Sequence, residues 1–186
     1  MCLLFFKGGN FMGILKFKNE SRATSYLTVS VLGKVLKLNI KYISTSKIEL
    51  NKDEYEINLY LPKKYKNNKN IDVINLAIQK LYDKVAETEI EYAMEVARHI
   101  LKFAPDDYKI QRLNNKYFKC MKSKILVDPD IVRFNREVIN TTIIQAFCNI
   151  KYKTNSNAYK ELLNNSLIKY EAYKKNFNKT KVLKVS

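Results

Sequence analysis

The sequence predicts an α+β protein, in which a small, mostly antiparallel sheet packs against a long helix and two further helices. Three observations predict this class. Up to about residue 61, apolar and polar residues alternate with the period of two that is typical of strands. Beyond about residue 70, apolar residues recur every three to four positions, as in amphipathic helices. The chain has 186 residues and a hydrophobic content of 46%, which is enough to bury a core.

Four strands are predicted between about residues 26 and 61. The segment "YLTVSVL" is rich in β-forming residues, and a turn at Gly33 leads from it into "KVLKLNI". The segments "KIEL" and "YEINLYL" follow. Pro62 ends the last strand, because proline cannot donate a ladder hydrogen bond. The polar and basic stretch "KKYKNNKN" then predicts a loop.

Three helices are predicted in the rest of the chain. A long apolar stripe predicts a helix over about 71–103. Shorter stripes predict helices over about 137–152 and 156–177. Between the first two helices, "YKIQRL" at 108–113 and "DIVRF" at 130–134 predict short strands.

The first eleven residues indicate that translation begins further along the chain than Met1. "MCLLFF" is too short an apolar run for a signal peptide, and no small-residue cleavage site follows it. One permitted set of codons for residues 7–10 contains a ribosome-binding sequence just before Met12. We therefore expect translation to begin at Met12, in a bacterium or bacteriophage; the alternative is a frayed apolar arm. The expected organisation is a single domain over 12–186, β-rich at about 26–66, mainly helical at about 70–177, and ending in a basic tail at 178–186.

The net charge of +16 has two interpretations. It indicates binding to a polyanion such as nucleic acid, which would be salt-sensitive and weakly sequence-specific because almost all the basic residues are lysines. Alternatively, the lysines reflect a genome rich in adenine and thymine, since Lys, Asn and Ile are all abundant. No apolar run approaches the length of a membrane span. We expect a cytoplasmic protein, in a bacterium or in the host of a phage that encodes it.

Three lysine-rich segments are candidates for polyanion binding: the predicted loop, the stretch at 116–124 and the carboxyl-terminal tail. In the tail, lysines alternate with aromatic residues, a pattern that suits stacking on single-stranded bases but equally suits a packed aromatic face with solvated lysines. The candidate lysines are Lys63, Lys64, Lys66, Lys69, Lys116, Lys119, Lys122, Lys124, Lys174, Lys175, Lys179 and Lys181.

The long helix also carries four acids at successive steps of four residues, namely Asp83, Glu87, Glu91 and Glu95. Side chains at this spacing lie on one face of a helix and repel one another mildly. The simpler interpretation is a solvated face that balances the lysines of the chain. The alternative interpretation is an acidic docking surface for a basic partner.

The cysteines are few and scattered, which indicates a reducing compartment without a disulfide framework. They are Cys2, Cys120 and Cys148, and none belongs to a zinc-binding pair. His99 is the only histidine. Cysteine and histidine are suitable metal ligands, but these residues lack a diagnostic spacing, so we expect no metal there.

Several motifs in the second half of the chain follow one another at a characteristic spacing. "VDPDIVRFN" at 127–135 precedes "VINTTIIQAFCN" at 138–149, and "TNS" at 154–156 and Tyr159 come next, while Cys120 lies upstream. This arrangement resembles the YgjP-like zinc metallopeptidase family, which is related to the SprT and WLM proteases. In that family the corresponding helix carries HExxH, and the likeness covers most of the chain, from about residue 27 to residue 175.

The resemblance implies a site that has lost its chemistry. The two histidines and the third ligand of the family correspond to Gln145, Asn149 and Asn155, and the catalytic glutamate corresponds to Ala146. Neutral amides are poor zinc ligands, and alanine cannot accept a proton. Loss of a general base alone costs about 10²–10⁴ in rate. The three amides either hold a peptide or small ligand without reacting with it, or hydrogen-bond to one another in a filled cleft.

We therefore expect a pseudo-enzyme without metal or cofactor that acts by binding. One hypothesis is a protein-interaction module, such as a phage- or mobile-element-encoded inhibitor of a nucleic-acid-processing defence complex. The alternative is a direct, weakly sequence-specific nucleic-acid-binding protein; a zinc-dependent metallopeptidase is a third. A clustered basic face would favour a polyanion, whereas dispersed lysines with an exposed apolar patch would favour a protein partner.

Overall fold

The computed structural model describes the backbone of residues 16–18, 26–66 and 71–182, and the side chains of 27–66 and 71–175. In these residues the protein is α+β, with three helices and two small mixed sheets. The predicted fold class is confirmed at this level. The expected single sheet is in fact two sheets, and each contains one parallel pair of strands.

The described residues form two compact units. Unit 1 takes in the described part of Met1–Val85 together with Val132–Asn135, and unit 2 takes in Ala86–Ile131 and the described part of Arg136–Ser186. The single domain expected over 12–186 stays a prediction. The proposed start at Met12 lies outside the described residues.

Unit 1 contains a five-stranded sheet with the order β1-β2-β3-β5-β4. Neighbouring strands are antiparallel except for β3 and β5, which are parallel. The last four strands occupy the four predicted segments, whereas the short first strand was not predicted. The strands are β1 (Lys16–Lys18), β2 (Tyr26–Val31), β3 (Lys34–Ile43), β4 (Glu49–Lys52) and β5 (Glu56–Pro62).

A tight turn joins β2 to β3, at the predicted position. Its two residues, Leu32 and Gly33, both have positive φ angles, of 50° and 78°, as in the type I′ turns that fit the twist of a hairpin. Their amide groups donate to the carbonyl oxygens of Val132 and Arg133, at 2.6 and 3.2 Å. A Cβ atom on Gly33 would lie 2.8 Å from the Cβ atom of Asn135, so this position has no room for a side chain.

The first half of helix α1 (Ile71–Leu101) covers the apolar residues of unit 1. Alternate residues of β5 are fully buried, as the period of a strand predicts. Ile78 and Tyr82 of α1 are also fully buried, and the Tyr82 hydroxyl donates to the carbonyl oxygen of Ser30 at 2.9 Å. Since a buried hydroxyl needs a partner, this bond fixes the helix against β2.

Unit 2 contains a three-stranded sheet and two helices. The strands are β6 (Asp107–Ile110), β7 (Phe118–Met121) and β8 (Lys124–Val127), in the order β6-β8-β7. Helix α2 (Arg136–Lys151) packs against β7 and β8, and against helix α3 (Asn157–Val182). All three predicted helices are present, and none of the described helices combines the length and apolar character needed to cross a membrane.

The strand predicted at 130–134 is wrong. Pro129–Arg133 instead forms a 3₁₀ helix. The Asp128 side chain accepts the amide hydrogen of Asp130 at 2.8 Å, and its carbonyl oxygen accepts that of Ile131 at 3.1 Å. These local bonds close a turn. The apolar residues of the segment are buried without joining a sheet, and the strand lies just upstream, in β8.

Candidate functional site

Helix α2 carries two of the three amides that the predicted resemblance places at zinc-ligand positions. Gln145 and Asn149 lie one turn apart; Gln145 is exposed and Asn149 is half-buried. The Oδ1 atom of Asn149 accepts a hydrogen bond from the Thr154 hydroxyl at 2.8 Å. Asn155 is exposed in the loop before α3, with a φ angle of 74° that asparagine tolerates better than most residues. Asn149 therefore stabilises this loop.

The inward side of the same region is apolar and closely packed. Ala146 is fully buried, and its carbonyl oxygen accepts a weak hydrogen bond from the Cys120 thiol at 3.4 Å. Tyr159 is 5% exposed, and its buried hydroxyl completes no hydrogen bond of normal geometry. Burial raises the pKa of Tyr159, and the nearby Gln145 amide opposes this rise. The exposed Gln145 amide therefore lies near a buried phenol.

Burial disfavours the thiolate form of both described cysteines of unit 2. Burial raises the pKa of Cys120 and of Cys148 to about 11 in each case. Because the thiolate is the nucleophile and the metal ligand, neither group is activated. His99 lies against the Tyr173 ring, with 5.6 Å between ring centres. In the residues that the structure describes, no three His, Cys, Asp or Glu side chains converge as a metal-binding group; the expected lack of a metal stays a prediction.

Two buried acids in unit 2 were not recognised in the sequence as a pair. Asp128 and Asp130 are each 2% exposed. Asp128 accepts amide hydrogens from Leu113, at 2.5 Å, and from Asp130, and Asp130 accepts a hydrogen bond from Arg112 at 2.6 Å. Burial raises the pKa of Asp128, and these amide donors oppose the rise. With all these partners, the two acids stabilise the turn.

A second ion pair joins helix α1 to the start of α2. Arg136 donates two hydrogen bonds to Glu89, both of 2.7 Å, in the paired geometry that arginine favours with a carboxylate. The Glu89 side chain is 10% exposed and that of Arg136 is 65% exposed. The hydrogen bonds to Glu89 raise the pKa of Arg136. The pair could not be predicted from the sequence, because Glu89 lies beside a run of exposed acids on the same helix.

Those exposed acids lie where the helical spacing predicted. The side chains of Asp83, Glu87, Glu91 and Glu95 are all exposed on α1. Glu95 forms an ion pair with Arg98 of the same helix. This contact fits a solvated charged face, and an acidic docking surface stays a prediction.

The most organised cluster of lysines is on the three-stranded sheet. Lys109 of β6 and Lys119 of β7 both lie opposite Leu126 of the central strand β8. Lys124, two residues before Leu126 in β8, lies opposite Met121. Because side chains alternate along a strand, all five project from the same face. We call these five residues the basic sheet face.

The basic sheet face is open, whereas the opposite face is buried. Ile125 and Val127 of β8 are fully buried on that opposite side, which α2 covers. On the basic sheet face all three lysines are exposed, and Met121 is 51% exposed. The sheet therefore presents three lysines beside two apolar side chains, with Asp107 opposite Lys124.

Few acids neutralise this surface. Lys124 forms an exposed ion pair of 3.3 Å with Asp107, whereas Lys109 and Lys119 form none with any described residue. Two further exposed lysines, Lys116 before β7 and Lys122 in the turn before β8, also form none with the described residues. Four of the five lysines were predicted from the sequence. Lys109 was missed because it comes from a separate strand.

The predicted basic loop begins as a short 3₁₀ helix, Lys63–Tyr65, and forms a second cluster of lysines, in unit 1. Lys63 and Lys64 follow β5 and line a shallow pocket of about 480 Å³ with the hydroxyl residues at 44–46. The pocket lies at the carboxyl ends of the parallel strands β3 and β5, a common place for ligands. Lysines and hydroxyl groups suit an anion. Lys66 is exposed, and Lys69 lies outside the described residues.

The tail is less available for binding than its composition suggests. Lys174 forms ion pairs with Glu137, at 2.8 Å, and with Glu171, at 2.7 Å, and lies over the Tyr170 ring. This arrangement matches the packed aromatic interpretation of the tail. Lys175 is exposed. The side chains of Lys179 and Lys181 lie outside the described residues.

Comparison with known proteins adds no family to this geometry. No protein-family model, curated protein or solved structure matches the chain. The resemblance to YgjP-like metallopeptidases stays a prediction.

Proposed function

We propose that the protein binds nucleic acid through its phosphate backbone and catalyses no reaction. The observation that carries this proposal is the pairing of Lys109 and Lys119 across Leu126 on the open face of a sheet. A clustered basic face is the arrangement that favours a polyanion over a protein partner. Lys116, Lys122 and Lys124 extend the positive charge along the same hairpin.

The residue types of the basic sheet face suit phosphate contacts better than base recognition. Lysine binds phosphate as a point charge and lacks the planar fork with which arginine reads guanine. Neither apolar member of the face, Leu126 or Met121, has an aromatic ring on which a base can stack. Binding should therefore depend strongly on salt and weakly on sequence.

The pocket of unit 1 supplies a second candidate contact to phosphate. Lys63 and Lys64 lie beside three hydroxyl residues there, and hydroxyl and lysine side chains are common partners of phosphate oxygens.

We also propose that the chain is a catalytically inactive relative of the YgjP-like metallopeptidases. We expect it in the cytoplasm of a bacterium or of a phage-infected host. The order of α1, the three-stranded sheet, α2 and α3 supports this origin. So does the position of Gln145 and Asn149 on successive turns of α2. Ala146 provides no carboxylate to activate water. Origin alone does not define present activity.

The second candidate function is a protein-interaction module, such as an inhibitor of a nucleic-acid-processing complex. It is favoured by a separate observation, an apolar groove in unit 1 lined by residues including Leu76 and Leu81. A protein that binds both nucleic acid and a protein partner satisfies both hypotheses.

The test is a binding titration of the full-length chain with labelled duplex DNA and single-stranded RNA over a series of salt concentrations. We expect the logarithm of the association constant for duplex DNA to fall linearly with the logarithm of the salt concentration. The expected slope is about −4, since each of about four neutralised phosphates contributes ~0.9. Unrelated sequences should bind alike. Absence of binding at low salt, or binding that is insensitive to salt, would overturn the proposal. Stoichiometric zinc in the same preparation would contradict the proposal that the site has lost its metal.

A further inference from the structure

Unit 1 has an apolar groove between the edge strand β4 and the first half of α1. Its volume is about 210 Å³. Leu76 on the helix side is 50% exposed and Ile48 on the strand side is 40% exposed, so large apolar side chains face solvent here. The lining residues are Ile48, Leu50, Leu76, Ala77, Lys80, Leu81 and Lys84.

The strand side of the groove is a sheet edge. In the described part of the chain, β4 pairs with β5 on one side and with no strand on the other. The backbone groups along the outer side of an edge strand are available to an added strand. Ile48 and Leu50 lie two residues apart and so face the same side, towards the groove.

The helix side of the groove is basic at its rim. Lys80 and Lys84 are exposed, lie one turn apart and form no ion pair with the described residues. The residues that line the groove include no acid. A complementary ligand therefore carries negative charge next to its apolar side chains.

The apolar lining and the basic rim of the groove distinguish among the ligands that could occupy it. Nucleic acid is negative but has no aliphatic side chains to fill an apolar groove. A second copy of this chain brings a net charge of +16 towards two lysines, which disfavours association. An acidic partner protein satisfies both the charge and the apolar lining.

We propose that this groove binds an extended, acidic segment of a partner protein that adds a strand to β4. Alternate side chains of such a segment point the same way, about 7 Å apart. The apolar ones enter the groove between Leu50 and Leu76. Acidic side chains at the rim contact Lys80 and Lys84. This interaction is independent of the basic sheet face and of the nucleic acid proposed to bind there.

The experiment selects peptides from a random-sequence library displayed on phage, using the immobilised full-length chain. We expect enriched peptides to alternate large apolar and other residues and to contain Asp or Glu. Their binding should weaken about tenfold in Leu76→Gln, which removes an apolar contact. Peptide binding should also weaken several-fold in Lys80→Gln/Lys84→Gln. The effect of this double substitution should be smaller at high salt, because salt screens the charges.

Matched controls separate the groove from general effects. Ile168 is 69% exposed on α3, so Ile168→Gln makes the same kind of change elsewhere and should leave peptide binding unchanged. Lys160→Gln/Lys169→Gln, at exposed positions of α3, matches the charge change. DNA binding should be equal in Leu76→Gln and the unsubstituted chain, so failure of one proposal does not imply failure of the other.

Four results would overturn the proposal. They are peptides that bind Leu76→Gln as well as the unsubstituted chain, peptides with apolar residues at helical spacing, peptides without acids, and self-association of the chain that Leu76→Gln abolishes. The last result would assign the groove to a second copy.

Discussion

Lys109 and Lys119 flank Leu126 in one cross-strand row of the three-stranded sheet, although they belong to strands that do not pair with each other. The row requires β6 to run parallel to β8 and β7 to run antiparallel to it. Because the opposite face of the sheet is buried under α2, the register cannot slip without exposing apolar residues. The core of unit 2 thus fixes the spacing of the charges that we propose to bind phosphate.

The β2–β3 turn should be sensitive to a single methyl group. Gly33→Ala places a Cβ atom 2.8 Å from Asn135 at a positive φ angle, so we expect the free energy of unfolding to fall by about 2 kcal/mol. Urea denaturation measures this change. Lys34→Ala is the control: it removes only an exposed ion pair with Glu54 and should cost less than about 0.5 kcal/mol. Equal stability of the two variants would show that the turn is not constrained.

The Glu89–Arg136 pair should behave as a unit. Arg136→Met leaves the buried Glu89 without its two donors, and we expect a loss of about 1–2 kcal/mol in unfolding free energy. This is below the value for fully buried pairs, because the guanidinium is mostly exposed. Glu89→Leu/Arg136→Met should recover part of the loss. If the effects of the two positions in a double-mutant cycle are simply additive, the pair is not coupled.

Asp128 should make stability depend on pH. Burial raises its pKa above the ordinary value of 3.8, so the folded chain binds this proton more readily than the unfolded chain. The contribution of Asp128 to the free energy of unfolding therefore falls as pH rises from about 4 through the folded pKa. Asp128→Asn cannot ionise. The stability of the unsubstituted chain minus that of the variant should fall over this range and then level off; a difference that rises with pH would contradict the assignment.

The two described cysteines should resist alkylation. With pKa values of about 11, only about 0.1% of Cys120 or Cys148 is thiolate at pH 8. We expect iodoacetamide to modify each residue about a hundredfold more slowly in the native chain than in urea, with the native rate for Cys120 rising at alkaline pH. Peptide mass spectrometry resolves the sites. Rapid native labelling of Cys120 would identify an activated thiol and contradict the account.

Local patterns in the sequence were sufficient to predict the helices and most of the strands. The apolar stripes of α1, α2 and α3 repeat over many turns, so their signal is strong. The segment at 130–134 was misread, because its buried apolar residues look like a strand, whereas Asp128 closes a turn through its side chain. Strand β1, with three residues, is too short to give a periodic signal.

The candidate sites depended on contacts that a sequence does not show. Lysines at 116–124 were visible as a run, but Lys109 joins them only through the register of β6 with β8. Likewise, Glu89 meets a residue 47 positions away, and no local pattern marks that pairing. The groove depends on β4 being the last strand of its sheet, which follows from the crossover between β3 and β5.

The most direct test of the central claim compares salt slopes for two variants with equal charge. Lys109→Gln/Lys119→Gln removes the cross-strand pair, and Lys160→Gln/Lys169→Gln removes two exposed lysines from α3. We predict that the first variant reduces the slope for duplex DNA by about 2, since each lost phosphate contact contributes ~0.9, and that the second leaves it unchanged. Equal slopes in the two variants would show that net charge, and not the basic sheet face, attracts nucleic acid.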